Sequence, residues 1–75
     1  MIESIVLVEG KNIKNETLMI SLSNAKQLLI GSPPGFGVIL HVAANSATDL
    51  GNALLAFSKV QDVTGVLTLA LRSPQ

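Results

Sequence analysis

Three apolar runs along the chain have the two-residue period of β-strands. Residues 5–8 form a β-branched run between Glu3 and Glu9, and residues 66–71 form a similar run near the end of the chain. The third run, at residues 38–42 or starting one residue earlier, is apolar on both alternating faces. These runs predict three strands.

The clearest helical signal begins at Ser46. Asp49 follows three residues later, which is a capping-box arrangement with Asp in place of Glu. The apolar residues after it fall on one stripe of a helix: Leu50, Ala53, Leu54 and Phe57. The sequence therefore predicts a helix that starts at Ser46 and ends before the turn "QDVTG" at residues 61–65.

The segment between the first and the third run allows two interpretations. Residues 17–22 alternate between apolar and more polar side chains, which predicts a strand with one solvated face. A short helix over residues 25–30 would follow, ended by Gly31. The alternative is a single helix over residues 16–30, because Leu18, Leu22, Ala25 and Leu29 also fit helical spacing.

The preferred interpretation places the elements in the order β-β-α-β-α-β within a single domain, residues 1–75. The charged segment "EGKNIKNE" at residues 9–16 would join the first two strands as a hairpin-type connection. No repeat or low-complexity tract divides the chain. We therefore predict an α+β fold of two layers, with one sheet and two helices on one face of it.

Size and composition indicate that the chain associates with other chains. A domain of 75 residues buries only about 60% of its surface on folding, and one core of this size supplies at most about 3–5 kcal/mol. Disulfides are excluded because the sequence has no cysteine, and one histidine with five scattered carboxylates does not favour a structural metal. The remaining source of stability is oligomerisation.

The strand faces lead to the same expectation. Strands that are apolar on both faces normally have both faces covered, but two modest helices can cover only one. We therefore expect the second face to pack against another copy of the chain, which gives a homo-oligomer and most simply a dimer, or against another protein. The predicted interface residues are His41, Ile39, Val66, Thr68 and Ala70 on strands, and Leu55 on the helix.

Charge and hydropathy limit the other partners. Only 13% of residues are charged, against about 25% in soluble domains, and the formal net charge is zero without a basic patch. A nucleic-acid partner is therefore not expected. The longest uncharged window, residues 27–48, contains two prolines, so no membrane span is expected either. The first ten residues lack a basic region, and we expect a cytoplasmic protein.

The sequence offers little that indicates catalysis. His41 is the only histidine, and its neighbours Leu40 and Val42 give it no carboxylate or nucleophile. No paired-carboxylate, Ser-His-Asp, HExxH or Walker pattern is present. We therefore predict no catalytic residues, no metal and no cofactor, and nothing in the sequence argues for an enzyme.

One junction could hold a small ligand. Small residues leave space where the third strand meets the helix, and Asn45, Ser46 and Thr48 offer polar groups beside the helix N-terminus. Asp49 in the first helical turn would oppose an anion there. The function expected first is a regulatory or interaction module without catalysis, and the alternative is a small-ligand sensor that binds at this junction near a subunit interface.

The last third of the chain also resembles a known architecture. Residues 53–72, "ALLAFSKVQDVTGVLTLALR", resemble the closing helix, loop and strand of ferredoxin-like regulatory domains such as the ACT modules, through Val63, Gly65 and Val66. The resemblance implies dimerisation through sheets and a small ligand at the interface, and it assigns no residue. The front half departs from it, because those domains place a helix after the first strand, so no family is assigned.

Overall fold

A four-stranded antiparallel sheet forms the centre of the structure, a computed structural model that describes residues 1–73. The elements in chain order are β1 (Ile2–Glu9), α1 (Asn15–Leu18), β2 (Ala25–Gly31), β3 (Gly37–Ala44), α2 (Ala47–Ser58) and β4 (Gly65–Arg72). The described residues form one α+β domain, as the sequence predicted.

The strand order across the sheet is β2-β3-β1-β4, and every neighbouring pair is antiparallel. β1 and β2 are therefore parallel to each other, with α1 between them in the chain and β3 between them in the sheet. β3 and β4 are related in the same way through α2 and β1. These two split β-α-β units make up the ferredoxin-like topology.

The core lies on one side of the sheet, where both helices pack. Alternate residues of β1 and β3 point into it, among them Val6, Val8 and Leu40, each fully buried. Leu18 of α1 and Phe57 of α2 belong to the same cluster of buried side chains. The prediction of one sheet with two helices on one face is confirmed.

The start of α2 is the element that the sequence predicted best. Ser46 is the N-cap, with an extended backbone, and its Oγ accepts a hydrogen bond from the backbone N–H of Asp49 at 3.1 Å. The same Oγ–H donates to Oδ2 of Asp49 at 2.9 Å. The first bond satisfies a backbone donor that the first turn of a helix otherwise leaves unpaired, and the second links the two side chains.

The second and third elements differ from the predicted order, which the structure corrects to β-α-β-β-α-β. Residues 17–22 are not a strand, since they hold the end of α1 and irregular backbone; residues 25–30 are not a helix, since they lie in β2. The alternative single helix over residues 16–30 is not formed either. The alternation still predicted which side chains point inward, because Leu18 is part of the core and Ile20 and Leu22 pack against it.

The physical reason lies in pairing that is distant in sequence. A six-residue helix is marginal by itself, even when its residues have good helix propensity. As a strand, the same segment pairs with β3 from Ala25 opposite Ala44 to Gly31 opposite Ile39. That pairing satisfies the backbone N–H and C=O groups along an edge of β3 that would otherwise be exposed. The stability gained in this way outweighs the local helix propensity.

Neither described helix could cross a membrane. The longer one, α2, has 12 residues, whereas a crossing needs about 20 predominantly apolar ones.

Candidate interaction surface: the open face of the sheet

The side of the sheet opposite the helices is the surface that we call the open face. Residues directly opposite each other on antiparallel strands share a face, so the strand register defines its members. Its side chains are those of Glu3, Ile5, Leu7 and Glu9 of β1; Ile39, His41 and Ala43 of β3; Lys26 and Leu28 of β2; and Leu67, Ala70 and Arg72 of β4.

This face is mainly apolar and lies uncovered by the rest of residues 1–73. The helices pack on the other side, where α2 buries Leu50, Ala53 and Phe57 against the core. On the open face, Leu28 is 66% exposed and Leu67 is 50% exposed. Ile5, Leu7 and Ile39 are half-buried, whereas the alternate residues of their strands are buried. An exposed apolar area of this continuity typically marks an interaction site.

One charged cluster interrupts the apolar surface. Nε2 of His41 lies 3.6 Å from Oε1 of Glu3, and Nε of Arg72 lies 3.8 Å from Oε2 of the same carboxylate. Both distances are longer than a hydrogen bond, and the side chain of Arg72 is 78% exposed, so both contacts are weak. They leave Arg72 available to a group from another chain.

A shallow depression of about 210 Å³ lies beside this cluster. Ser4 is among its lining residues, but its hydroxyl is buried and donates to the backbone oxygen of Ala70 at 3.0 Å. Ser4 and His41 also belong to alternate positions that face opposite sides of the sheet. The geometry therefore assembles no nucleophile and base. Within residues 1–73, no three His, Asp or Glu side chains lie close enough to hold a metal ion.

The predicted ligand-binding residues lie at the junction between β3 and α2, all of them exposed. Ser46 is engaged in the cap described above. Asn45 donates its backbone N–H to the carbonyl oxygen of Asn24 at 3.0 Å and borders a depression of about 280 Å³ with Lys26. Thr48 lies in the first turn of α2. No specific feature of this junction favours a ligand.

The predicted interface residues fall on three different surfaces. Ile39, His41 and Ala70 lie on the open face, as grouped from the sequence. Val66 and Thr68 do not, because they lie opposite Val8 and Val6 on the core-facing side, and Val66 packs against the core. Leu55 is exposed on α2, in the other layer.

A β-bulge explains the error in β4. Strict alternation places Val66, Thr68 and Ala70 on one face, but the register shifts between Ile5 and Val6 of β1, and Leu69 has no partner there. One extra residue reverses the faces beyond it. The sequence analysis did not assign the open-face residues Glu3, Ile5, Leu7, Glu9, Ala43, Leu67 and Arg72 to an interface, because alternation shows two faces without telling which one the helices cover. It missed Lys26 and Leu28 because residues 25–30 were predicted to be helical.

Comparisons of the chain with protein-family models, with curated proteins and with solved structures gave no match. The surface itself is therefore the basis for a function.

Proposed function

We propose that the protein is a homo-oligomeric interaction module whose output is binding rather than chemistry. In this proposal, the open face packs against the open face of a second copy. The observation that supports it is the continuous apolar side of the sheet, which the described helices leave uncovered. A cytoplasmic location is part of the proposal, since a chain without cysteine gains no disulfides from an oxidising compartment.

The area of the open face suits a second copy. Strands of seven or eight residues and a width of four strands give a face of about 26 by 19 Å, or about 500 Å² per copy. Two such faces bury about 1,000 Å² together, which is the lower limit for a specific interface. A self-contact of this kind would also be isologous, the commonest type in soluble oligomers.

The charges of the open face support a second copy of the chain as the partner, rather than a strongly charged protein. Glu3 and Glu9 carry negative charges, whereas Arg72 and Lys26 carry positive ones, so the same surface presents both signs. The formal net charge of the whole chain is zero, and two copies therefore do not repel each other over distance. A partner with a large charge of one sign would find no matching field here.

Two matched substitutions test the proposal. Ile39→Glu places a carboxylate on a central strand of the open face, and Leu55→Glu makes the same change on the exposed surface of α2. We expect Ile39→Glu to halve the mass of the assembly in light scattering, because a carboxylate buried at the contact would be unpaired. Leu55→Glu should leave that mass unchanged. Equal masses for the two variants would contradict packing through the open face.

A further inference from the structure

β4 is an edge strand that the fold leaves exposed on both sides. Among the described strands its only neighbour is β1. Leu67 and Leu69 are each 50% exposed and Leu71 is 65% exposed. Leu67 is on the open face and Leu71 on the core-facing side, so the exposed apolar area continues around the strand. A long apolar edge of this kind is a template for pairing with another strand.

The bulge gives β4 a symmetric order of faces. Gly65, Leu67, Ala70 and Arg72 lie opposite open-face residues of β1, whereas Val66, Thr68 and Leu71 lie opposite core-facing ones. On one side of the bulge at residues 68–69, residues 67, 66 and 65 lie in turn on the open, the core-facing and the open side. On the other side of it, residues 70, 71 and 72 follow the same order. An off-centre bulge would break this correspondence, since it reverses the faces on one side only.

We propose that β4 pairs antiparallel with β4 of a second copy, about a two-fold axis that passes through the bulge. Leu67 then lies opposite Ala70 of the second copy, Val66 opposite Leu71, and Gly65 opposite Arg72. Every one of these pairs matches face with face, as antiparallel pairing requires. The two sheets join into one sheet of eight strands.

The charges at the two ends of β4 support this register. Gly65 lies opposite Glu9 of β1, and Oε1 of Glu9 is 3.0 Å from the position that a Cβ on Gly65 would occupy. Antiparallel pairing brings Arg72 of the second copy beside Gly65, and thus toward Glu9. The glycine leaves room for the long arginine side chain, and the two-fold axis forms the contact twice.

The other edge strand is less suited to self-pairing. β2 has its register shift between Leu29 and Gly31, near one end of the strand. Face-matched pairing of two β2 strands therefore extends only over residues 25–29, and it sets Lys26 opposite Leu28. In β4, the six residues outside the bulge all take part in face-matched pairs.

The inference rests on the proposed function in that it needs the chain to self-associate, and it adds a second contact. An eight-stranded sheet still has its open face uncovered. Packing two such sheets face to face gives an assembly of four chains with two kinds of two-fold contact, which is a common arrangement.

Cysteine cross-linking tests the register, because the chain has no cysteine of its own. Val66→Cys with Leu71→Cys puts two thiols opposite each other on the core-facing side, where packing through the open face cannot join them. Val66→Cys with Ala70→Cys is the matched control, because its thiols lie on opposite faces. Within one chain, the Cα atoms of residues 66 and 71 are about 17 Å apart, which is too far for an intrachain disulfide.

After mild oxidation, we expect about tenfold more covalent dimer from the Val66/Leu71 pair than from the Val66/Ala70 control, because only the first has disulfide geometry between chains. Equal yields, or more dimer from the control, would overturn the β4 pairing. Should Val66→Cys impair folding, as judged by circular dichroism, Leu67→Cys with Ala70→Cys in the Ile39→Glu variant replaces it. There, packing through the open face is already removed, and lack of cross-linking again overturns the pairing.

Light scattering of the reduced variants separates this inference from the proposed function. A mass above one chain without the specific cross-link leaves self-association through the open face intact and removes the β4 contact. A mass of one chain removes both.

Discussion

Gly37 shows how closely the backbone of this small protein is packed. It opens β3 with a φ of 137°, and a Cβ there would lie 2.0 Å from the carbonyl oxygen of Val8. Both the conformation and the contact exclude a side chain. This close approach lets β3 begin directly opposite the end of β1, where Glu9 pairs with Gly37.

At the residue scale, Gly37→Ala should therefore destabilise the fold by about 3 kcal/mol, since a strained φ adds to a collision with fixed backbone. Gly51→Ala is the control: Gly51 lies within α2, and a Cβ there meets no atom within 4 Å. That variant should gain about 0.5–1 kcal/mol, because alanine has the higher helix propensity. Urea unfolding followed by circular dichroism measures both, and a stable Gly37→Ala protein would contradict the close contact.

At the element scale, the parts of the fold that the sequence predicted are those fixed by nearby residues. α2 starts at Ser46 because the cap and the apolar stripe are both local. β2 was missed because its stability comes from β3, and the residues between Ala25 and Gly31 carry no β-branched pattern that would show it. The faces of β4 were missed because no residue near Leu69 signals a bulge.

The candidate surface was predicted in the same uneven way. A second apolar face without a cover follows from strands that are apolar at both alternating positions, and the structure has such a face. Which side chains form it depends on how the strands register. The sequence analysis therefore placed Ile39 and His41 of β3 on this face correctly, and Val66 and Thr68 of β4 incorrectly. That these residues form an interface stays a prediction.

The cap of α2 gives a prediction for a single element. Ser46→Ala should reduce the free energy of unfolding by about 1 kcal/mol, because the N–H of Asp49 loses its acceptor. Ser46→Thr should recover most of this loss. Ser58→Ala, which removes an exposed bond to the carbonyl oxygen of Leu55 at the other end of the helix, should have a smaller effect. The same unfolding measurement ranks the three variants, and a neutral Ser46→Ala would show that the cap does not hold the helix start.

At the scale of the whole molecule, the protein has one covered and one uncovered side of the same sheet. The core on the covered side consists of small and medium side chains around Phe57 and Leu18. A core of this size supplies only a few kcal/mol. Covering the open face with a second copy removes further apolar surface from water, so folding and association should stabilise each other.

The most direct test of this account is the mass of the unaltered chain in solution, followed over concentration. Light scattering with refractive-index detection suits it, since the chain has no Trp or Tyr to absorb. The account predicts at least twice the 7.8 kDa of one chain at about 100 μM, where a micromolar dissociation constant leaves most chains associated. A mass of 7.8 kDa at that concentration, from a chain that unfolds cooperatively, would contradict it.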